Sequence, residues 1–537
     1  MNSTSVSVIN GASLIAGQPA KTSGAAFHAI NPQTGEQLEQ QFFSATADDV
    51  DRACRAAAEA FPAYSRTFGR ERARFLRRIA DNLDAASADL VARAQLETAL
   101  PAARLQGEVL RTSNQMRLFA DVVEEGSWVA ARIDTALPDR KPLPRPDLRS
   151  MLRPIGPVAV FGASNFPIAF SVAGGDTASA LAAGNPVVVK AHPAHPGTSE
   201  IAGRIIQQSI QDCGLPAGVF SLLFDAGIEA GKALVQHPEI KAAGFTGSHR
   251  GGRALMDLAA QRPDPIPCFA EMSSTNPVFI LPGALRERGS QIATGLHGSF
   301  TLGAGQFCTK PGLVFLPQQE QAEPFLAELR RLAGSTAGFF LLTPGIANTY
   351  RRELESRTRR PGLQSTVARP ESSNAATCTA PAALMEVDVD EFSQSPELAS
   401  EIFGPATLVI RYQQREAMLE AARSLDGHLT ATVLAQPDEL GEYRDLLEIL
   451  ERKVGRVILN GYPTGVEVSH AMVHGGPSPS TSDSRFTSVG SRAILRFARP
   501  VCWQGFPESA LPDELRDANP LGILRMINGE TSRDPVR

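Results

Sequence analysis

The chain lacks a basic excess: over 537 residues its formal net charge is −5 at pH 7. Nucleic-acid and anionic-membrane surfaces are recognised by concentrated positive charge, so neither partner is expected. No uncharged apolar span reaches the length a transmembrane helix requires, and no membrane role is expected. Cysteine is scarce, six residues without paired spacing, which fits reduced thiols of a cytoplasmic protein rather than a disulfide framework. No Cys-x-x-Cys pair and no His/Cys cluster is present, so no metal site is expected. Residues 1–4, Met-Asn-Ser-Thr, start neither a basic nor a long apolar leader, and no signal peptide is expected. A 20-to-50-residue repeat is also missing, which excludes solenoids and propellers.

What is present is a chain that is 43% hydrophobic, enough for a large core divided over more than one domain. Residues 1–26 read as a loose arm or short hairpin. Thr46 caps a helix whose first turn holds Asp48 and Asp49. Helical spacing of Leu76, Ile79, Leu83 and Leu90 predicts one long helix over 70–96, and another follows over 102–125. Residues 135–148, rich in Pro, Asp and Arg, form an extended connector. Short apolar runs then alternate with helical stretches: strands at 157–161, 186–190, 219–223 and 242–246, helices over 168–183, 198–213 and 231–236. That alternation predicts parallel βαβ units in a doubly wound α/β sheet, with ligands at the carboxyl ends of the strands. Further on, 355–380 reads as a surface excursion. A strand at 457–461 leads into a Gly/Pro/Ser-rich loop over 462–482, which carries His470 and His474.

Four stretches carry the chemistry. Gly303-Ala304-Gly305-Gln306-Phe307-Cys308-Thr309-Lys310 puts one cysteine in a turn of small residues. It is a candidate nucleophile or a buried structural thiol. Phe269-Ala270-Glu271-Met272-Ser273 places a lone carboxylate in an apolar run, either a general base or a buried paired acid. Gly162-Ala163-Ser164-Asn165-Phe166-Pro167 closes a strand, and Asn165 could simply form a turn there. After the strand ending at Thr246, Gly247-Ser248-His249-Arg250-Gly251-Gly252 enters a helix. Its N–H groups and dipole suit a phosphate, although a tight strand-to-helix turn is the simpler alternative. Lys190, ending its strand, suits an adenosine ribose or its phosphate, or is a surface lysine.

With Ser400-Glu401-Ile402-Phe403-Gly404-Pro405, these stretches resemble the motifs of the aldehyde dehydrogenase superfamily, in family order, over about Phe27 to Pro500. The resemblance implies a Rossmann-like cofactor domain over 1–134 and 155–272 and a catalytic domain over 273–482. It also implies oligomerisation segments at 135–154 and 483–537, and hence a homo-oligomer, dimer or tetramer. Cys308 becomes the nucleophile, and Asn165 with the Cys308 N–H becomes the oxyanion site. Glu271 becomes the base that hydrolyses a thioester. Lys190, Gly247, Ser248, Gly252, Glu401 and Phe403 become cofactor contacts. Relatives that prefer NAD carry Glu three residues after the lysine, where this chain has Pro193, so NADP is expected, with NAD admissible. Residues 190–198 and 461–466 resemble a bacterial branch that oxidises 2,5-dioxovalerate. A fatty-aldehyde enzyme with a tunnel of Phe166, Phe170, Phe300 and Phe307, an acyl transfer to coenzyme A, and a non-catalytic binding protein are the alternatives.

Overall fold

The computed structural model describes residues 9–369 and 377–536. It is an α/β protein built on two seven-stranded sheets and one of five strands. The first sheet runs Cys268–Glu271, Ala242–Thr246, Val158–Phe161, Val187–Lys190 and Phe220–Leu223, all parallel. Helices cover both faces, so a strand such as Val187–Lys190 carries valine on each side, with Val187, Val188 and Val189 fully buried. Within the described residues of the expected arm, Leu14–Ile15 and Gln18–Pro19 form a hairpin that adds an antiparallel edge to this sheet.

The second sheet orders Gln364–Val367, Ala383–Asp388, Ala406–Tyr412, Leu313–Pro317, Val278–Ile280, His428–Leu434 and Val454–Leu459. Only the Gln364–Val367 edge is antiparallel. That edge comes from the stretch read as a surface excursion, of which 370–376 lie outside the described residues. The third sheet joins Ala498–Gln504, Leu148–Pro154, Arg132–Asp134, Arg525–Ile527 and Glu530–Ser532. Among the described residues no helix is long and apolar enough to cross a membrane.

Thr46 caps Ala47–Tyr64 in a reciprocal capping box with Asp49, as the sequence predicts. Two helix expectations fail. The stretch 70–96 is divided at Ala86 (φ −93°, ψ 10°) into Gly69–Ala85 and Ser87–Thr98. Ser87 and Asp89 suit the first turn of a new helix, a signal that the uninterrupted apolar spacing masks.

The second failure shapes the site. Only Gly175–Ala183 of 168–183 is helical. The N–H groups of Ile168 and Ala169 instead donate to Glu108 Oε2, at 3.3 and 3.4 Å, across from the helix Ala102–Glu125. A buried carboxylate supplied from 60 residues away satisfies backbone that local propensity would have coiled. The resulting turns aim Phe166 and Phe170 into a cavity.

Candidate active site

The site lies where the carboxyl edge of the first sheet meets the second. Cys268–Glu271 ends the first sheet, and Val278–Ile280 opens the second only seven residues later. Asn276, fully buried between them, donates through Nδ2 to the carbonyls of Cys308 (2.8 Å) and Lys310 (3.0 Å). Its Oδ1 accepts from Ser274 and Thr430 at 2.9 and 3.1 Å. One amide thus ties the carboxylate strand to the cysteine turn. That turn is backbone-limited at Gly305, where φ is +66° and a Cβ would sit 2.2 Å from the Gly404 carbonyl. Only glycine accommodates both conditions.

Cys308 opens onto a cavity of about 510 Å³. Burial pushes its thiol well above the ordinary range, the Glu271 and Glu401 carboxylates add to this, and Arg111 opposes it. A thiol raised in this way needs a nearby proton acceptor before it can attack.

The candidates for it are Glu271, whose carboxylate the thiol bonds, and a histidine of the 462–482 loop. His474 is fully buried, with Nε2 2.9 Å from Glu271 Oε1 and 3.4 Å from Cys308 Sγ. The ligating atoms of all three residues lie within 4.8 Å of one another. The sequence places His474 in a loop and assigns it no chemistry; its carboxylate and thiol companions arrive from other elements. His470 is exposed and outside the group. The loop, although neither helix nor strand, pairs with Cys268–Glu271: Met272 N donates to Ser480 O (2.7 Å) and Ser482 N to Ala270 O (2.9 Å). His474 N donates to Thr487 Oγ1 (2.8 Å), and its carbonyl accepts from Ser488 N (2.8 Å). Ser488 Oγ donates to Glu271 Oε2 at 2.5 Å. Burial works to raise the Glu271 carboxyl, yet His474, Ser488 and Cys308 together hold it below its ordinary value.

Asn165 is buried, and its Nδ2 donates to the Gln306 carbonyl at 3.0 Å, two residues before the nucleophile. Glu401 is electrostatically linked to Cys308 and to Lys310. Burial raises its carboxyl against the pull of Lys310 and a bond from Ser273. Lys310 Nζ donates to the carbonyls of Ile402 (2.9 Å) and Ala406 (2.8 Å), fixing the turn that carries Glu401 and the half-buried Phe403.

At the strand ends, Ser248 caps the helix His249–Ala260 through Gly251 N, and Gly247 N donates to the Glu271 carbonyl at 3.0 Å. Gly247 and Ser248 are exposed. Gly252 is buried, and a Cβ there would meet Met272 Sδ at 2.6 Å, so it sets the close approach of helix to strand. Lys190 is half-buried, its ammonium lowered by burial against the pull of Asp225. An exposed helix N-terminus, a strand-end lysine and the half-buried Glu401, in the turn before the strand Ala406–Tyr412, could together hold a dinucleotide. Of the four tunnel candidates, Phe166, Phe170 and Phe307 line the cavity, whereas Phe300 is fully buried in the core beside the second sheet.

A thiol with a proton acceptor, an apposed carboxylate and a dinucleotide cradle define an oxidoreductase that works through a covalent adduct. Residues 19–497 match the aldehyde dehydrogenase family, and the chain belongs to it; such enzymes use a nicotinamide dinucleotide. The chain is 49% identical over 526 residues to alpha-ketoglutaric semialdehyde dehydrogenase 2 of Azospirillum brasilense, covering 97% of this chain and 99% of that one. It is 45% identical over 520 residues to alpha-ketoglutaric semialdehyde dehydrogenase of Acinetobacter baylyi, at 97% and 98% coverage. Among solved structures, methylmalonate-semialdehyde dehydrogenase (DddC) of Oceanimonas doudoroffii superposes with a TM-score of 0.80 at 20% identity, over 93% of this chain and 99% of that one. That likeness establishes the fold.

Proposed function

We propose that this enzyme oxidises 2,5-dioxovalerate (α-ketoglutaric semialdehyde) to 2-oxoglutarate, with NADP as hydride acceptor and water as acyl acceptor. The juxtaposition of Cys308, His474 and Glu271 beneath one cavity carries the chemistry. The substrate follows the two bacterial relatives, each similar over nearly the whole of both chains.

Cys308 Sγ adds to the aldehyde carbon as its proton passes to the His474–Glu271 pair. The Asn165 amide and the Cys308 N–H stabilise the oxyanion. A bound dinucleotide, held by Lys190, Gly247, Ser248, Glu401 and Phe403, supplies the hydride acceptor. The acyl group left on Sγ is a thioester. With the thiol's proton released to solvent, Glu271 takes one proton of the attacking water and returns it to Cys308 Sγ as the acid leaves, the water's second proton being lost as the acid ionises to the carboxylate. A carboxylate this close to the thiol supports hydrolysis over transfer to coenzyme A.

For the cofactor, position 193 is proline, and Asp225 is engaged by the N–H groups of Gly227 (2.8 Å) and Ala230 (3.1 Å). A 2′-phosphate beside Lys190 thus meets no carboxylate from position 193, and the charge of Asp225, which also acts on Lys190, is partly met by those N–H groups. The first sheet carries the dinucleotide and the second the nucleophile turn. The third sheet mediates self-association in the cytoplasm, supported by exposed Leu143, Phe506 and Leu524 near it. The test is kcat/KM for 2,5-dioxovalerate, succinic semialdehyde, hexanal and decanal, each with NADP and NAD. A preference for decanal refutes the substrate, and equal or better use of NAD refutes the cofactor. Pro193→Glu should favour NAD.

A further inference from the structure

We infer that Arg111 and Arg456 form an anion site in the cavity above Cys308, which selects aldehydes bearing a carboxylate at the far end. The inference rests on reading this cavity as the aldehyde site and adds the residues that set its specificity. Arg111 projects from the helix Ala102–Glu125 and Arg456 from the strand Val454–Leu459, and both line the cavity with Cys308.

A third arginine shows by contrast what a structural guanidinium looks like here. Arg104 is 3.4 Å from Glu108, donates to the Asn165 carbonyl at 2.6 Å, and lies 4.9 and 4.7 Å from the ring centres of Phe166 and Phe307. Arg111 and Arg456 have no such counter-ion: among the described residues no carboxylate lies within 4.0 Å of either. Their protein acceptors are neutral. Arg111 Nη2 donates to Val466 O at 3.3 Å, and Arg456 donates to Gly465 O and Pro463 O, each at 2.9 Å, with Met472 Sδ at 3.9 Å. Arg111 Nη1 and Arg456 Nε are buried without a hydrogen-bond partner, as are Arg104 Nε and Nη1, so it is the missing counter-ion that sets the first two apart. Arg111 also lies 4.6 Å from the ring centre of Phe170, which fixes its plane.

Buried donors on a guanidinium that stays charged are costly unless an anion meets them. The acids nearby are otherwise engaged: Glu108 by Arg104 and by the N–H groups of Ile168 and Ala169, Glu271 by His474 and Ser488. Glu467 stands exposed at the rim. Two guanidinium groups therefore offer their charge to a ligand. Both line the same cavity as the reacting sulfur. A five-carbon 2-oxo acid spans roughly 5 Å from aldehyde carbon to carboxylate carbon, a length that suits one end on Sγ and the other on the arginines. Both arginines also hold the 463–466 backbone, so a bound carboxylate would tighten the mouth of the cavity.

The test compares the wild type with Arg111→Met, Arg456→Met and the two Lys variants in two assays. In the first, the ratio of kcat/KM for 2,5-dioxovalerate to that for pentanal should fall about 100-fold in each Met variant, mainly through KM, and be partly restored by Lys. A ratio within about threefold of wild type in both Met variants overturns the inference. The second assay needs no dehydrogenase turnover. Cys308 of the wild type should react with anionic iodoacetate, relative to neutral iodoacetamide, about tenfold more readily than free glutathione does. The Met variants should lose that preference, and its absence in the wild type overturns the inference even if the variants do not fold. If no aldehyde is oxidised yet the preference is present and Arg-dependent, the proposed function fails and the anion site stands.

Discussion

His474→Gln isolates the contribution that links the nucleophile to its base. Glutamine fills much of the imidazole volume but cannot accept and return a proton at neutral pH. In the native site Nε2 lies 2.9 Å from the buried Glu271 and 3.4 Å from the half-buried Cys308. A hydrogen bond to a buried charge contributes about 1.5–3 kcal/mol. Losing a contact of that kind from the imidazole should raise the Glu271 carboxyl. The sign follows from the balance at Glu271: burial raises the carboxyl, His474, Ser488 and Cys308 lower it, and removing His474 leaves burial less opposed. A base with a raised pKa is protonated at higher pH. The acid limb of the kcat profile should therefore move upward. Loss of the thiol's proton acceptor should also slow acylation, by about 10²–10⁴-fold if His474 is the direct acceptor. The assay is rapid mixing with 2,5-dioxovalerate and NADP across pH 5–9, which resolves the burst of reduced cofactor from steady turnover. A variant with kcat within threefold of wild type and an unmoved acid limb would refute the role given to His474.

Cys308→Ala should abolish aldehyde oxidation while cofactor affinity, measured by fluorescence titration, stays near wild type; residual turnover above a small fraction removes Cys308 from the role. Glu271→Gln should give a burst of reduced cofactor followed by stalled turnover, because the thioester loses its base. The same variant should alkylate at lower pH than wild type, because the carboxylate that raises the Cys308 thiol is gone; an unchanged alkylation midpoint contradicts this. Gly305→Ala should cost at least about 2 kcal/mol, since left-handed backbone alone costs alanine about 1–2 kcal/mol. The added Cβ would also press on the Gly404 carbonyl. A lower melting temperature with lost burst amplitude is the expected result, and a native-like melt rejects the turn's strain.

Much of the site was legible in the chain because its parts are local. Buried parallel strands must be short apolar runs, which is why 157–161 and 186–190 stood out, and residues at their carboxyl ends follow from the α/β rule. Cys308, Glu271, Asn165 and Glu401 sit in short motifs whose residue types match their chemistry. His474 gave no such signal: a histidine in a Gly/Pro-rich loop has no periodicity, and its burial depends on the loop pairing with Cys268–Glu271 through Ser480 and Ser482. Arg111 and Arg456 drew no reading from the sequence, because the helix and the strand that bear them come together at the cavity and not along the chain. The stretch 168–174 had helical composition, yet Glu108, from another helix, satisfied its N–H groups and left it as turns. Local sequence thus decided which residues could do chemistry. Which of them share a cavity, and with what charge facing them, was decided by hydrogen bonds and ion contacts between segments from 60 to more than 200 residues apart, where no window of sequence holds both partners.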